Sequence, residues 1–257
     1  MLPRPYVSDL VVLESTDSTN DEARRLSDRG SGEGTVVIAE RQSRGRGRRG
    51  AAWHSPPGVG LYLSVLLRPV RPAAELPRWG IAAAVAGCLA VRDAGVTDAV
   101  VEWPNDIVCR GLKIGGILVE ARSAGEIPLD LVIGTGFNVA HAAEDFPAEL
   151  RGRAGSILMV LDGTSGDREA LAGSYLRRLR GLTADLGAGV FEPVRRAFVA
   201  LAPGASGSRV LVDPGGGTAP FEGTARGLDD AGALRVERSD GRMEIVRVTG
   251  SVAWLEA

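Results

Sequence analysis

The texture of the chain changes at Ala205. Downstream of it, five short apolar stretches (SRVLVD, FEGTARGLD, GALRVERSDG, MEIVRV and SVAWLEA) are separated by turns of the PGGG, DDAG and SDGR kind. Strands and turns this closely spaced leave no room for helices, and they specify a small all-β barrel of about 50 residues. Upstream, strand and helix patterns alternate. In ESTDSTNDEARRL two overlapping capping patterns, Ser18 with Asp21 and Thr19 with Glu22, start a helix directly after a strand at residues 10–13. GTVVIAE reads as a buried strand, and GLYLSVLLRP sets Leu61, Leu63, Val65 and Leu67 against Tyr62, Ser64 and Arg68, which predicts a strand with one face more buried. Residues 77–94 are Ala-rich and end before Gly95, a helix with a C′ glycine.

AVVEWPND, LKIGGILVEA and LDLVIGTGFNVA read as three more sheet segments, the last two too apolar for edges. Residues 141–166 form a polar, Pro- and Gly-bearing connection, followed by helices near 167–186 and 190–202. The fold class is α+β, a mixed sheet with helices, followed by the small β module. A boundary near Pro203 divides the chain into 1–203 and 204–257.

Charge excludes one class of partner. Thirty Lys and Arg stand against 32 Asp and Glu, a formal net charge of −2, so no protein-wide positive field draws nucleic acid or an anionic membrane. The N-terminus MLPRPYVSDL lacks a charged region followed by an apolar one, and no run approaches a membrane span. Two cysteines, Cys88 and Cys109, lie in apolar stretches and make no disulfide framework; two histidines add no metal cluster. The expectation is a cytoplasmic protein.

Four constellations could carry chemistry. RQSRGRGRRG interleaves five arginines with three glycines. Glycine allows close backbone approach, and guanidinium forks fit carboxylate and phosphate oxygens. It reads as a solvated loop, a low-grade RNA-binding tract, or a loop mobile until an anion bridges its arginines, since ordering costs about 1–2 kcal/mol per residue. EWPND is a turn that can present Asn105 and Asp106 to a cation or a polar ligand. Lys113 is the only lysine in the chain; beside Gly115 and Gly116 it is either a solvated strand-edge residue or a compact point charge aimed at a reacting centre. Ser18, Thr19 and Asn20 carry more polar groups than a helix cap needs, Gln42 at the end of a buried strand adds another, and Asn138 closes GTGFN as a polar terminus.

In this order and spacing, DSTN, AERQSRGRGRRG, EWPND, LKIGGILVE and GTGFNV resemble the motif series of the biotin protein ligases; FPAELRGRAGSIL and the closing barrel resemble that family as well. The resemblance implies a core like the catalytic domain of class II aminoacyl-tRNA synthetases with an SH3-like C-terminal domain. It implies activation of biotin by ATP and Mg²⁺ to biotinyl-5′-AMP, then transfer to a lysine of the biotin carboxyl carrier protein of a biotin-dependent carboxylase. Carried over by position, Ser18, Thr19, Asn20 and Gln42 belong to the biotin pocket, and Arg46, Gly47 and Arg48 to a loop that closes over biotin and its adenylate. Lys113 belongs beside the carboxylate and α-phosphate and is catalytic together with Arg46 and Arg48. Arg49, Asn105 and Asn138 fall on the nucleotide side, Asp106 on Mg²⁺, and Gly115 and Gly116 where backbone approaches the biotin chain.

Some members of the family carry a DNA-binding domain before the catalytic one; with a strand by Leu10, the expectation here is a monofunctional enzyme, monomer or homodimer, with no nucleic-acid partner. Three positions depart from the family pattern: Glu102 where many members have Lys, Ala51 where a basic residue is frequent, and Arg44 where a small one is common. The competing readings are a lipoate or octanoate ligase, whose motif histidine and nucleophilic cysteine are not matched by His54, His141, Cys88 or Cys109, and a nucleic-acid-binding module built on the Arg/Gly loop.

Overall fold

The computed structural model describes residues 7–255 except 124, 165, 215–217 and 248–250. The PGGG turn and most of the N-terminal segment read above therefore fall outside the described residues. Strand β1 (Asp9–Thr16) leads into helix α1 (Thr19–Asp28), and the chain returns as β2 (Thr35–Gln42), parallel to β1. Then come β3 (Gly60–Leu67), helix α2 (Leu76–Asp93), the hairpin β4 (Val100–Glu102) and β5 (Asp106–Cys109), and the long hairpin β6 (Leu112–Ser123) and β7 (Pro128–Asn138). They form one seven-stranded sheet, ordered β1-β2-β3-β7-β6-β5-β4, and every pairing except β1 with β2 is antiparallel.

Both faces of the sheet are covered. Helix α2 lies on one face and packs against α4 (Arg168–Gly187) and α5 (Glu192–Leu201), while α1 lies on the other. Buried Ala82, Ala83, Ala84, Ala86 and Ala90 let α2 sit close to the strands, and a Cβ on Gly87 would come within 2.6 Å of Ile107. Double coverage corrects one expectation: β3 is buried at every position, because Tyr62 and Ser64 lie under α1 and its neighbouring loops rather than facing water. Residues Ala73–Asp93 are long and apolar enough to cross a membrane by length and composition, contrary to the sequence reading; 61% of that window is buried, as befits a core helix. The 141–166 connection is also more structured than expected. It holds two single turns of 3₁₀ helix and the short α3 (Ile157–Val160), whose N-cap Ser156 accepts from Met159 N and donates to His141 O.

All five C-terminal strands expected from sequence are present: β8 (Ser206–Asp213), β9 (Phe221–Leu228), β10 (Leu234–Glu237), β11 (Met243–Val246) and β12 (Ser251–Trp254). They pair antiparallel in the order β11-β10-β9-β8-β12. This sheet shares a core with the larger one: Val210, Val212, Ala225, Leu234 and Val236 join the cluster that contains Trp79, Val101 and Trp103. The turn before β10 docks beside the EWPND segment, with Trp103 Nε1 donating to Gly232 O at 3.3 Å and Arg78 Nε to Asp230 O at 2.7 Å.

Candidate active site

On the α1 side of the sheet, alternate positions of β6 and β7 carry Gly116, Gly134 and Gly136, and the missing side chains leave a depression. Neighbouring groups rest directly on these glycines: a Cβ on Gly134 would stand 2.2 Å from Asn20 Oδ1, and one on Gly136 would stand 2.4 Å from Trp53 Nε1. Glycine is required here for close approach rather than for its backbone angles. Ser18, Thr19 and Asn20 at the start of α1, Gln42, the loop residues Arg46, Gly47 and Arg48, Trp53, Asp106 and Lys113 complete a cavity of roughly 200 Å³.

The polar wall is preorganised. Thr19 donates from N and Oγ1 to Gln42 Oε1 at 2.9 and 3.1 Å, and Gln42 Nε2 donates to Ser55 Oγ at 3.0 Å. Buried Ser64, which sequence reasoning passed over as a strand residue, lies within hydrogen-bonding distance of Thr19 Oγ1 (2.8 Å) and Asn20 Oδ1 (2.6 Å). Asn20 Nδ2 in turn donates to Glu120 at 2.7 Å. Ser18 occupies the N-cap position without using its side chain for the cap; Asp17 Oδ1 accepts from Ser18 N instead. The Ser18 hydroxyl is thus spared for the cavity.

A second cavity of roughly 460 Å³ adjoins the first and is walled by His54, Glu102, Val108, Asn138, Phe146, Leu150 and Arg153. Ala51, Ala52, Trp53, Asp106 and Lys113 line both cavities. Lys113 Nζ therefore stands at the junction, 2.6 Å from Asp106 Oδ1 and 5.5 Å from the centre of the Trp53 ring. Glu102 and Asp106 face each other across the β4–β5 hairpin. Burial, then the charge of Asp106, raises the Glu102 carboxyl above its ordinary range, while Lys113 pulls it back down. Burial, then Arg49 beside it, holds the Arg48 guanidinium below its usual value, so a negative ligand near it would be favoured.

Several sequence-predicted residues land elsewhere. Gly115 faces the core, where an added Cβ would meet Ile107 and Phe137, because neighbours on a strand point to opposite faces. Arg46 lines the first cavity but aims its guanidinium away from it, at Asp21 (2.6 and 2.7 Å) and Glu120 (3.5 Å). Asn105 donates to Ile117 O at 2.6 Å and accepts from Arg48 at 3.2 Å, which makes it a support rather than a free ligand group. Arg49, at φ 56°, lines neither cavity. Asn138 donates to Gly155 O at 2.9 Å and to Lys113 O at 3.3 Å, fixing the strand that carries the lysine. The loop expected to be mobile until ligand arrives draws its anchors from the chain itself.

His54 and Phe146 are additions that the sequence reading lacked, and Trp53, whose sequence context suggests a core residue, lines both cavities instead. His54 Nε2 is 2.9 Å from Asp145 O, and Phe146 stacks on buried His141 at 4.9 Å. Burial, followed by nearby His54, depresses His141 to about 4 from an ordinary 6.5. The native chain thus binds fewer protons than the unfolded one between these values, and stability falls as pH drops through that window, by roughly 2–3 kcal/mol. Chemical denaturation of wild type and His141→Phe between pH 7 and 4 should show the steeper loss in wild type; parallel curves would mean that His141 does not titrate in this way.

Comparison with known proteins places this geometry. Residues 12–138 match the Biotin/lipoate A/B protein ligase family, and residues 205–252 match the Biotin protein ligase C terminal domain. The chain is 33% identical to the bifunctional ligase/repressor BirA of Bacillus subtilis over 92% of its own length and 71% of the relative's. It is 31% identical to the biotin–[acetyl-CoA-carboxylase] ligase of Paracoccus denitrificans over 91% and 96% of the two chains. Among solved structures it resembles a biotin protein ligase from Aquifex aeolicus in complex with biotin and ATP, with a TM-score of 0.81, 25% identity, and coverage of 96% of this chain and 100% of that one.

Proposed function

Because the chain belongs to the biotin protein ligase family, we propose that its two joined cavities are the biotin and nucleotide subsites of one active site. The enzyme activates biotin with ATP and transfers it to a carboxylase. The observation that carries the assignment of the cavities is the position of Lys113 Nζ, the one lysine ammonium in the chain, at their junction.

Ser18, Thr19, Asn20 and Gln42 supply the donors and acceptors that a ureido ring needs, Gly116, Gly134 and Gly136 provide a backbone floor, and the Trp53 indole covers the apolar rings. The carboxylate then points toward Lys113. In the first half-reaction a carboxylate oxygen attacks the α-phosphorus, the bond to the bridging oxygen breaks, and pyrophosphate leaves. Two anions must meet for this, and the ammonium of Lys113, with Arg48 nearby, offsets their repulsion in a water-poor site. In the second, an acceptor lysine amine attacks the acyl carbon, AMP leaves, and the amine's proton is lost to give an amide. His54 and Phe146 are suited to flank the base, and Asn138 to bound it. Asp106, with Glu102 opposite, offers hard oxygen donors of the kind Mg²⁺ takes alongside substrate phosphates. Bound there, the ion would neutralise the departing pyrophosphate. No group of three or more His, Cys, Asp or Glu among the described residues is arranged to hold a metal.

The carrier protein is the inferred acceptor. We take 1–203 as the catalytic domain and 204–257 as the C-terminal SH3-like domain, acting as monomer or homodimer without nucleic acid. A cytoplasmic setting fits two free, buried cysteines. ATP/pyrophosphate exchange tests the activity. Exchange should depend on biotin and be absent with lipoate, octanoate or no acid; exchange driven by lipoate or octanoate would transfer the assignment to that branch of the superfamily.

A further inference from the structure

The Arg/Gly loop crosses the first cavity between two anchors. At one end Arg46 makes a bidentate pair with Asp21 of α1 at 2.6 and 2.7 Å, and its NH2 lies 3.5 Å from Glu120 of β6. At the other, Arg48 donates to Asn105 in the β4–β5 turn. Between them the chain folds back on itself, with Gly47 N donating to Ala51 O at 2.7 Å and Trp53 N to Gly45 O at 2.9 Å. The first anchor is built as a neutral quartet: Arg24 approaches Glu120 at 3.5 Å and Asp21 at 3.9 Å, so two carboxylates face two guanidinium groups. The arginine beside it dominates the environment of Asp21 and holds its carboxyl below the usual range. All of these side chains keep between 23% and 32% of their surface exposed, so the network sits at the rim, where it can open.

The geometry points to Asp21 and Glu120 as positioning residues: they latch the 44–52 loop over the cavity through Arg46, and the latch sets how long the acyl-adenylate is retained. This rests on the reaction proposed above. Neither carboxylate is among the groups assigned to biotin or nucleotide. Glu120 also receives Asn20 Nδ2, which ties the latch to the polar wall. A mixed anhydride needs shielding from water and from stray amines until the acceptor lysine arrives, so a latch made by the chain itself serves the second half-reaction more than the first.

The test uses Asp21→Asn, Glu120→Gln and the double variant, which keep shape and remove charge. Release of biotinyl-5′-AMP, followed by Trp fluorescence after dilution into excess unlabelled biotin, should accelerate roughly five- to tenfold in Asp21→Asn and more in the double variant. Adenylate formation in a single turnover should stay within about twofold of wild type. Asp21→Glu should restore retention. Release in wild type should itself quicken with added KCl, as expected for a screened ion pair, and that salt response should shrink in the variants. Amide hydrogen exchange of residues 45–52 in the free protein should rise in Asp21→Asn. Unchanged exchange together with wild-type release would overturn the latch. Because exchange is measured without substrate, it judges the latch even if biotin-dependent pyrophosphate exchange were to fail and take the proposed reaction with it.

Discussion

Lys113→Ala is expected to lower biotin-dependent adenylate formation by about a thousandfold, at the upper end of what a preorganised charge contributes in a shielded site. Binding of biotin and of ATP measured separately should weaken far less, because the ammonium matters most when carboxylate and phosphate approach each other. Lys113→Arg should recover only part of the rate, since a planar fork is a poor replacement for a compact point charge beside Asp106 and the Trp53 ring. Folding should survive, as Lys113 and Asp106 are a partly exposed pair at strand ends whose backbone bonds do not involve the side chains. Single-turnover formation of labelled adenylate distinguishes the outcomes, and a near-normal rate in Lys113→Ala would remove the residue from the chemistry.

The second large effect comes from adding one methyl group. In Gly136→Ala the new Cβ would lie 2.4–2.5 Å from Nε1 and Cε2 of Trp53, too close for any side chain, so the indole must leave its seat on the sheet. Because the same indole lines both cavities, biotin affinity should fall about a hundredfold, and the double variant with Trp53→Ala should bind no worse than Trp53→Ala alone. That non-additivity is what identifies steric displacement as the cause. Titration calorimetry with biotin reads it directly; wild-type affinity in Gly136→Ala would mean that the indole is not part of the binding wall.

Much of this site was legible in the sequence because it lies on segments that local chemistry places. Ser18, Thr19 and Asn20 follow a strand and open a helix, and Lys113 begins an apolar strand; such positions are set by the switch from strand to helix periodicity and by alternation. What escaped depends on which strands become neighbours. Ser64 and Gly134 looked like unremarkable strand residues, and only the β3–β7 pairing, which sets one opposite the other, brings them under Asn20. Gly115 and Gly116 were read together, yet strand alternation sends one into the core and the other into the cavity. The arginines of the loop looked alike in sequence, and their fates diverged because acidic partners at Asp21 and Glu120 lie 25 and 74 residues from Arg46 along the chain. His54 and Phe146 wall the same cavity, and Phe146 lies in a connection whose periodicity gave no signal at all.

The contact between the C-terminal turn and the β4–β5 hairpin has a consequence for engineering. Gly232 O accepts from the indole of Trp103, two residues before Asn105 and three before Asp106, and the same turn receives Arg78 from the first part of α2. Val210, Val212 and Leu234 share one core with Trp79 and Val101. The small sheet is consequently not an interchangeable cassette. A graft from a relative would have to bring a turn that satisfies Trp103 and fills the same volume, or the segment bearing Asp106 would lose its backing.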